Sequence, residues 1–283
     1  MTVDLHLHSL YSDGSLSPSE LVELGSVQGL SALALTDHDT IEGILEAKIA
    51  GRKKGIEVIS GVELSADLPD CTLHILGYFF DVDNVDLKKG LSELQAERRE
   101  RNEKIIFRLG ELGINIDNRQ LQKIAGVGLV GRPHIGKILV AQGVVDSMNE
   151  AFDKFLGQFG AAYVSRSKFT VREAVSLIHK AHGLAVLAHP LQMVKSGVNP
   201  AGVISRLVRL GLDGIEYYYP TYSKKKRRII RRYMAGHNII ITGGSDYHGD
   251  IRPSTSMAGV GGFSVPDTVL LEMKRRITQK YGI

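Results

Sequence analysis

The stretch DLHLH near the start of the chain places two histidines one residue apart in a segment of β-strand composition. Side chains alternate between the two faces of a strand, so His6 and His8 point to the same side. Their Cα atoms would lie roughly 7 Å apart, close enough for both imidazoles to reach one metal ion. A polar strand face exposed to water fits the same spacing, so these two residues alone leave both interpretations open.

Other histidines and carboxylates lie at or near the ends of further candidate strands. They are His38 in LALTDHD, Glu63 in VISGVEL, His74 in TLHIL, His189 in AVLAHP, Asp246 and His248 in GGSDYHG, and Asp13 in the loop after the first strand. In barrels and open α/β folds, functional groups collect at strand ends, where residues far apart in sequence converge. Buried polar groups need partners. The joint placement therefore predicts a mouth of imidazoles and carboxylates that binds cations.

Some neighbouring polar residues are interpreted differently. Asp37 and Asp39, on either side of His38, fit ordinary turn residues. Three further histidines lie within or at the end of a helix or in a polar loop, and no metal role is assigned to them: His179, His182 and His237.

Short β-rich segments alternate with helix-length segments along the chain. The candidate strands are VDLHL, LSALALT, IEVISGVEL, TLHILGYFF, LAVLAH, LDGIEYYY and NIIITGGSD. Helical patterns separate them, one opening at Ser17 with Pro18 in its first turn and another over Thr170 to His182. This alternation favours a mostly parallel sheet or a barrel.

One long segment, from about Leu87 to Gln158, contains only helical patterns rich in charge. It predicts a helical insertion within the α/β domain, with strands resuming near Ala162. The strongest charge run lies elsewhere, in KKKRRIIRR from Lys224 to Arg232. We interpret that run as a solvated helix face rather than a dedicated nucleic-acid surface.

The bulk composition limits the class of protein. With 283 residues, of which 43% are hydrophobic, the chain can bury a full core. A net charge of +4 suits an acidic substrate but is far from a strong nucleic-acid signature. The single Cys71 excludes an internal disulfide and fits a reducing compartment. Without an apolar run typical of a signal peptide or membrane span, a cytoplasmic protein with no membrane partner is expected.

In combination, these motifs resemble the polymerase and histidinol phosphatase (PHP) family. The matching segments are HxH, SDGS, TDHD, GVE, the isolated strand histidine, AHP and GSDYHG. The resemblance implies an α/β fold, a distorted (β/α)7 barrel formed by residues 1–98 and 162–283, with a helical insertion domain at 99–161 as a lid over the mouth. The inserted GRPHIGK resembles the bacterial branch that dephosphorylates nucleoside monophosphates and 3′,5′-bisphosphates and trims short RNA from the 5′ end.

The family resemblance also implies two to three divalent ions, for which the donor types suit Mn, Zn or Fe. One ion would take His6, His8, Glu63 and Asp246, a second Glu63, His74 and His189, and a third Asp13, His38 and His248. Some members have His where this chain has Asp13, and either residue type can serve as a ligand. Glu63 would bridge the first two ions and position a hydroxide that attacks phosphorus, which gives it the catalytic role.

A phosphate ester also needs cationic donors. Arg132 and His134 in VGRPHIG are the first candidates, because an Arg fork suits phosphate oxygens and Pro133 marks a helix start. Lys168 in YVSRSKFT is a further candidate. The expected partner is a small phosphorylated nucleotide or a short RNA end, and the oligomeric state is left open.

Three alternatives remain at this stage. Histidinol phosphatases share the metal set, although GRPHIGK favours nucleotides. An amidohydrolase-type enzyme also uses HxH on a first strand, but no Lys lies at a strand end where a bridging carbamate could form. The third alternative, from another class, is a non-catalytic metal- or nucleic-acid-binding PHP module, which normally belongs to a larger chain and often lacks ligands.

Overall fold

A nine-stranded sheet forms the centre of the computed structural model, which describes residues 1–68, 71–165, 169–192 and 199–282. The strands are β1 (Thr2–Leu7), β2 (Leu30–Leu35), β3 (Glu57–Leu68), β4 (Cys71–Tyr78), β5 (Phe169–Thr170), β6 (Leu184–Leu187), β7 (Gly214–Tyr218), β8 (Ile240–Gly243) and β9 (Val265–Pro266). Their order in the sheet is β8-β7-β6-β4-β3-β2-β1-β9, and β5 pairs with β3.

The sheet curls until the segment that follows β8, at one end of the strand order, lies beside β1, near the other end. Strands β1 to β3 are parallel, β4 runs antiparallel to both β3 and β6, and β6 to β8 are parallel again. Backbone hydrogen bonds from His8 to Tyr247 and from Asp246 to His6 join β1 to the segment after β8. Gly244 is required at this junction, because a Cβ there would lie 2.3 Å from the His6 Cβ. The predicted distorted barrel is confirmed, with the reversed β4 as its main distortion.

Helices connect the strands and form the insertion. They are α1 (Pro18–Val27), α2 (Ile44–Lys54), α3 (Val85–Glu111), α4 (Asn118–Ala125), α5 (Arg132–Ala141), α6 (Met148–Ala151), α7 (Val171–Lys180), α8 (Pro200–Arg209), α9 (Lys224–Tyr233) and α10 (Asp267–Tyr281), with a π-helical turn at Phe152–Leu156 and a 3₁₀ turn at Gly249–Ile251. No helix within the described ranges is long and apolar enough to cross a membrane.

The helical insertion shares its longest helix, α3, with the barrel. Asn84 caps this helix by accepting from the Leu87 amide at 3.0 Å. Its first half packs Leu87 and Leu94 into the barrel core, whereas Ile105 belongs to a separate core of the insertion. The predicted division at residue 98 therefore falls inside one helix, whose halves pack against different cores.

The C-terminal end of the predicted insertion differs in detail from the sequence interpretation. Ala162 is buried in the core of the insertion helices, and the segment around it forms turns. The next strand, β5, begins only at Phe169 and contains two residues. The prediction that strands resume near Ala162 is thus wrong by several residues, because the small apolar side chain packs onto helices rather than into the sheet.

Asp213, just before β7, ties the helical layer to the sheet. Its carboxylate accepts from the Ala185 amide at 2.9 Å, from His179 Nε2 at 2.8 Å and from Lys280 Nζ at 2.6 Å. Burial alone would raise the pKa of Asp213, but these hydrogen bonds outweigh it and the pKa is lowered. The ionised form is therefore the one that the fold stabilises.

We expect Asp213→Asn to lower the free energy of unfolding at pH 7 by about 1.5–3 kcal/mol, the range for hydrogen bonds to a charged group. Because the folded-state pKa is lowered, this stabilisation is present above the ordinary value of 3.8 and is lost as the pH falls below it. Urea titrations of both proteins at pH 7 and near pH 3.5 measure the difference. The control is Asp83→Asn, because Asp83 is exposed and pairs only at the surface, with Lys88. If the difference in unfolding free energy between the natural protein and Asp213→Asn stayed constant with pH, the ionised carboxylate of Asp213 would not be the source of the stabilisation.

Candidate metal centre

The first strand places two imidazoles at the mouth of the barrel. His6 and His8 are 0% and 1% exposed, and their ring centroids lie 5.2 Å apart. They share one strand face because they are two residues apart in β1 and its immediate extension. The water-exposed interpretation of DLHLH is therefore wrong, since the sheet closes around this face.

Glu63 lies at the centre of the cluster, on the long strand β3, and is 1% exposed. Its Oε2 lies 3.4, 3.1 and 3.1 Å from nitrogen atoms of His6, His8 and His38, respectively. Its Oε1 lies 2.8 Å from His74 Nδ1 and 3.0 Å from His189 Nε2. Each carboxylate oxygen thus faces its own set of imidazoles, the arrangement that a bridging ligand requires.

Asp246 and Asp13 extend the cluster on the side of β1. Asp246 Oδ1 lies 3.5 Å from His6 Nε2 and 3.4 Å from His8 Nε2. Asp13 Oδ1 lies 3.5 Å from His248 Nε2 and 3.8 Å from His8 Nδ1. All nine sequence-predicted ligands therefore converge at one mouth, although they come from six segments of the chain.

Several of these buried atoms have no hydrogen-bond partner. They are His6 Nε2, His8 Nε2, His38 Nδ1, His74 Nδ1 and Asp13 Oδ1. An unsatisfied buried polar atom is costly, and five in one small volume are hard to reconcile with a site that binds nothing. Donors about 2.0–2.2 Å from a shared ion lie roughly 3 Å from one another, as these do. The residues therefore fit divalent metal ions.

Geometry divides the donors into three overlapping groups, in each of which the potential ligand atoms lie within 4.8 Å of one another. They are His6, His8, Glu63 and Asp246; His8, Asp13, His38 and His248; and His38, Glu63 and His74. The first group has the same members as the first predicted ion site. The second adds His8 to the third predicted set, and the last contains His38 where the resemblance implies His189. The assignment of each ligand to an ion stays a prediction.

Electrostatics within the cluster keep its carboxylates ionised. Burial would raise the pKa of Glu63, but the surrounding imidazoles, His38 and His74 foremost, hold it well below its usual range. Burial would likewise lower the pKa of His8, yet the nearby carboxylates of Asp246 and Glu63 raise it to about 9. Burial dominates at His38 and lowers its pKa to about 3. The carboxylates of the mouth are thus ionised and available to a cation.

A second set of side chains, which the sequence interpretation missed, orients the predicted ligands. Glu216 on β7 is 0% exposed; its Oε1 pairs with His6 Nδ1 at 2.8 Å, and its Oε2 accepts from the His189 amide at 2.7 Å. The hydroxyl of Tyr219 donates to Asp246 Oδ2 at 2.8 Å, and Arg252 pairs with the same oxygen. Such partners fix ring orientation and tautomer in metal sites. The signal available in LDGIEYYY was Glu216, a carboxylate between Ile215 and three tyrosines.

The interpretation of Asp37 and Asp39 as ordinary turn residues is wrong. Asp37 is buried and accepts from the Ser9 amide at 2.7 Å and the Ser12 hydroxyl at 2.5 Å, which fixes the loop that carries Asp13. Asp39 is buried, accepts from the Ser65 amide and pairs with Arg98 of α3.

The insertion therefore contacts the mouth directly. Arg98 joins α3 to the segment that carries His38, and the Leu129 amide donates to the Tyr11 carbonyl at 2.9 Å. Gly128 allows this approach, because a Cβ there would lie 2.0 Å from the Leu10 carbonyl oxygen. The loop after β1, which carries Asp13, thus lies against the insertion.

Backbone strain is concentrated at the mouth of the barrel, among and beside the predicted ligands. Three of the five non-glycine residues with positive φ in the described part of the chain are Asp39 (56°), His189 (27°) and Asp246 (55°). Such conformations are uncommon and persist where the surrounding structure enforces them, often at functional sites. Here Glu216 accepts a hydrogen bond from the His189 amide, and the Tyr219 hydroxyl donates to the Asp246 carboxylate.

Two of the predicted substrate residues, Arg132 and His134, lie in the first turn of α5, within the insertion. His134 is buried, and its Nδ1 accepts from the Gly131 amide at 2.8 Å, which caps α5; burial lowers its pKa. Arg132 Nη1 donates to the Leu156 carbonyl at 3.1 Å, and the guanidinium lies 5.8 Å from the Phe152 ring centroid. Lys168 lies outside the described residues. Substrate contact by these three residues stays a prediction.

Comparisons with known proteins extend over nearly the whole chain. A model of the PHP domain family matches residues 4–251, a range that includes all nine predicted ligands. A 5′-3′ exoribonuclease of Haemophilus influenzae is 37% identical over 245 residues, which cover 87% of this chain and 89% of that protein. A 3′,5′-nucleoside bisphosphate phosphatase of Chromobacterium violaceum is 31% identical over 247 residues, 87% of each protein.

Solved structures include one that is similar over its full length. A Bifidobacterium adolescentis protein described as a metal-dependent phosphoesterase superimposes with a TM-score of 0.86 at 27% identity, covering 98% of this chain and 96% of the other. The similarity therefore includes both the barrel and the helical insertion.

Proposed function

The chain belongs to the PHP domain family, and from this membership we propose that it is a metal-dependent phosphoesterase acting on nucleotides. The proposed substrates are nucleoside monophosphates such as AMP, 3′,5′-bisphosphonucleosides and the 5′ ends of short RNA. Relatives with 37% and 31% identity are named for RNA and bisphosphate substrates. The observation that carries the proposal is the position of buried Glu63, whose two carboxylate oxygens face separate groups of imidazoles.

The nine predicted ligands would hold two to three divalent ions, with Mn, Zn and Fe all compatible with the donor set. Such ions, when bound, lower the pKa of water toward neutrality and neutralise charge on phosphoryl oxygens. The protein's own side chains orient the predicted ligands through hydrogen bonds. Glu216 orients His6, Asp37 holds the loop that carries Asp13, and Tyr219 orients Asp246.

The proposed reaction is hydrolysis at phosphorus. An oxygen from water forms a new P–O bond, the P–O bond to the ester oxygen breaks, and the alcohol leaves with a proton. No side-chain nucleophile is needed, so Glu63 acts by presenting its two carboxylate oxygens and remains ionised throughout. The insertion, joined to the loop after β1 through Leu129, would restrict entry to small nucleotides and chain ends.

A side-by-side assay tests this proposal. Phosphate or nucleotide release is measured from the Mn-loaded protein with AMP, 3′,5′-bisphosphoadenosine, histidinol phosphate and a short 5′-phosphorylated RNA. We expect kcat/KM to be highest for the nucleotides or the RNA. Preference for histidinol phosphate would overturn the substrate class and keep the chemistry, whereas turnover of none, with metal bound, would favour a non-catalytic module.

We further expect Arg132→Ala to raise KM for the nucleotide by about 10- to 100-fold, the effect of losing about 1.5–3 kcal/mol of charge-assisted hydrogen bonding. Metal content should be unchanged, because Arg132 lies in the insertion rather than among the donors. Steady-state kinetics and metal analysis measure the two quantities. The exposed Arg119, changed to Ala, is the control for loss of a cation, and an unchanged KM would remove Arg132 from the substrate site.

A further inference from the structure

Helix α9, with the sequence KKKRRIIRRY, is the most basic element of the molecule. Seven of its ten residues are Lys or Arg and none is acidic. Ile230 is buried and anchors the helix in the barrel core, while Lys225 and Arg228 are exposed. Within the described part of the chain, no carboxylate forms an ion pair with any of the seven cations, whereas α3 and α10 contain such pairs and one joins α1 to α2.

The concentrated positive charge of α9 destabilises the helix. Lys224–Lys226 occupy the first turn, where the positive end of the helix dipole favours acidic residues. Like charges also face each other at i, i+4 spacing, as in the pairs Arg227 with Arg231 and Arg228 with Arg232. A solvated helix face would gain from interspersed acidic residues. An anionic ligand along this helix explains why they are absent.

Aromatic rings hold part of the basic face in place. Arg227 and Arg231 each lie 5.5 Å from the ring centroid of a tyrosine on β7, and Lys226 lies 5.9 Å from that of Tyr222. These stacked side chains have lost mobility before any ligand binds, which lowers the entropic cost of binding. Cations interleaved with aromatic rings are typical of surfaces that bind single-stranded nucleic acid.

A cavity leads from α9 to the metal centre. It has a volume of about 530 Å³, and its lining includes Lys226 and Tyr233 of α9 together with Tyr222, Tyr219 and Arg252. The last two both contact Asp246, a predicted ligand. No described residue that lines this cavity is acidic, so a chain bound along α9 could reach the centre through it.

We propose that α9 and this cavity form the binding surface for single-stranded RNA on the 3′ side of the nucleotide that is being hydrolysed. The inference rests on the proposed function, because it takes the 5′ end to lie at the metal centre. The nucleotides that follow pass through the tyrosine-lined cavity, and their phosphates lie along the cations of α9. A mononucleotide does not extend to the helix and gains nothing from it.

The test compares substrates of different length in the full-length, Mn-loaded protein. The double variant Lys225→Glu and Arg228→Glu changes two exposed cations that neither stack on a tyrosine nor line the cavity. We expect kcat/KM for a 5′-phosphorylated eight-nucleotide RNA to fall at least about tenfold and its salt dependence to weaken. The value for 3′,5′-bisphosphoadenosine should stay within twofold. The matched control, Arg52→Glu with Lys53→Glu on α2, should change neither.

A binding measurement separates this inference from the proposed function. Fluorescence anisotropy of the same RNA, labelled at its 3′ end, is measured after divalent ions are chelated, which prevents hydrolysis. Tight binding that the α9 variant loses and the α2 control keeps supports the surface even if no turnover is found. Equal RNA binding by all three proteins, or equal competition by duplex DNA and heparin, overturns it, while nucleotide hydrolysis would still support the proposed function.

Discussion

Glu63→Gln is expected to lower kcat by at least about 10³-fold, which corresponds to about 4 kcal/mol of transition-state stabilisation. The reason is geometric: the two carboxylate oxygens face different imidazole groups, with Oε1 2.8 Å from His74 and Oε2 3.1 Å from His8. A glutamine keeps the size of the side chain but offers one oxygen and one amide nitrogen. The nitrogen cannot act as a ligand to a cation, so one of the two groups loses its shared donor.

The measurement combines turnover with metal stoichiometry, determined by atomic emission after gel filtration. The variant should bind at least one divalent ion fewer than the natural protein, and its circular dichroism spectrum should be unchanged. Glu57→Gln is the matched control, because Glu57 begins the same strand and its side chain is exposed beside Lys274. Retained activity with full metal content would remove Glu63 from the bridging role.

The convergence of the predicted ligands could be foreseen from the sequence because most of them lie beside a clear local signal. HxH alternation places two imidazoles on one strand face, and GGSDYHG lies directly after an apolar strand. Parallel strands then bring their ends together whatever the details of packing. The alternation of strands and helices left a mostly parallel sheet or a barrel open, and the family resemblance implied the barrel. The pairing of the reversed β4, the late start of β5 and the short β9 required the structure.

The residues that orient the cluster were not predicted because their roles depend on tertiary packing. Arg98 is one of several cations in ERRERNEK, and only the rotation of α3 relative to the barrel selects it to pair with Asp39. Asp37 and Asp39 have the composition of a turn. Their roles depend on distant contacts, with Ser9 and Ser12 for Asp37 and with Ser65 and Arg98 for Asp39. Charge runs are similarly ambiguous, since the tyrosines beneath α9 come from another element.

Glu216→Gln is expected to weaken metal affinity by about 10- to 100-fold, the range found when a partner behind a metal ligand is lost. The carboxylate of Glu216 accepts two hydrogen bonds, one from His6 Nδ1 and one from the His189 amide. A glutamine can satisfy only one of these donors with its oxygen and must point its NH₂ group at the other. Either His6 loses the contact that directs its Nε2 toward Glu63 and Asp246, or the strained His189 backbone loses its anchor.

Competition with a fluorescent chelator measures the affinity, and kcat is then measured at saturating metal. Because Glu216 contacts the ligands and not the reacting atoms, excess metal should restore kcat to within about threefold, whereas it should not restore Glu63→Gln. Glu272→Gln on the exposed face of α10 controls for the loss of one carboxylate. If metal affinity were unchanged in Glu216→Gln, His6 would be oriented by the closure of the barrel at Gly244 alone, and the carboxylate on β7 would have only a structural role.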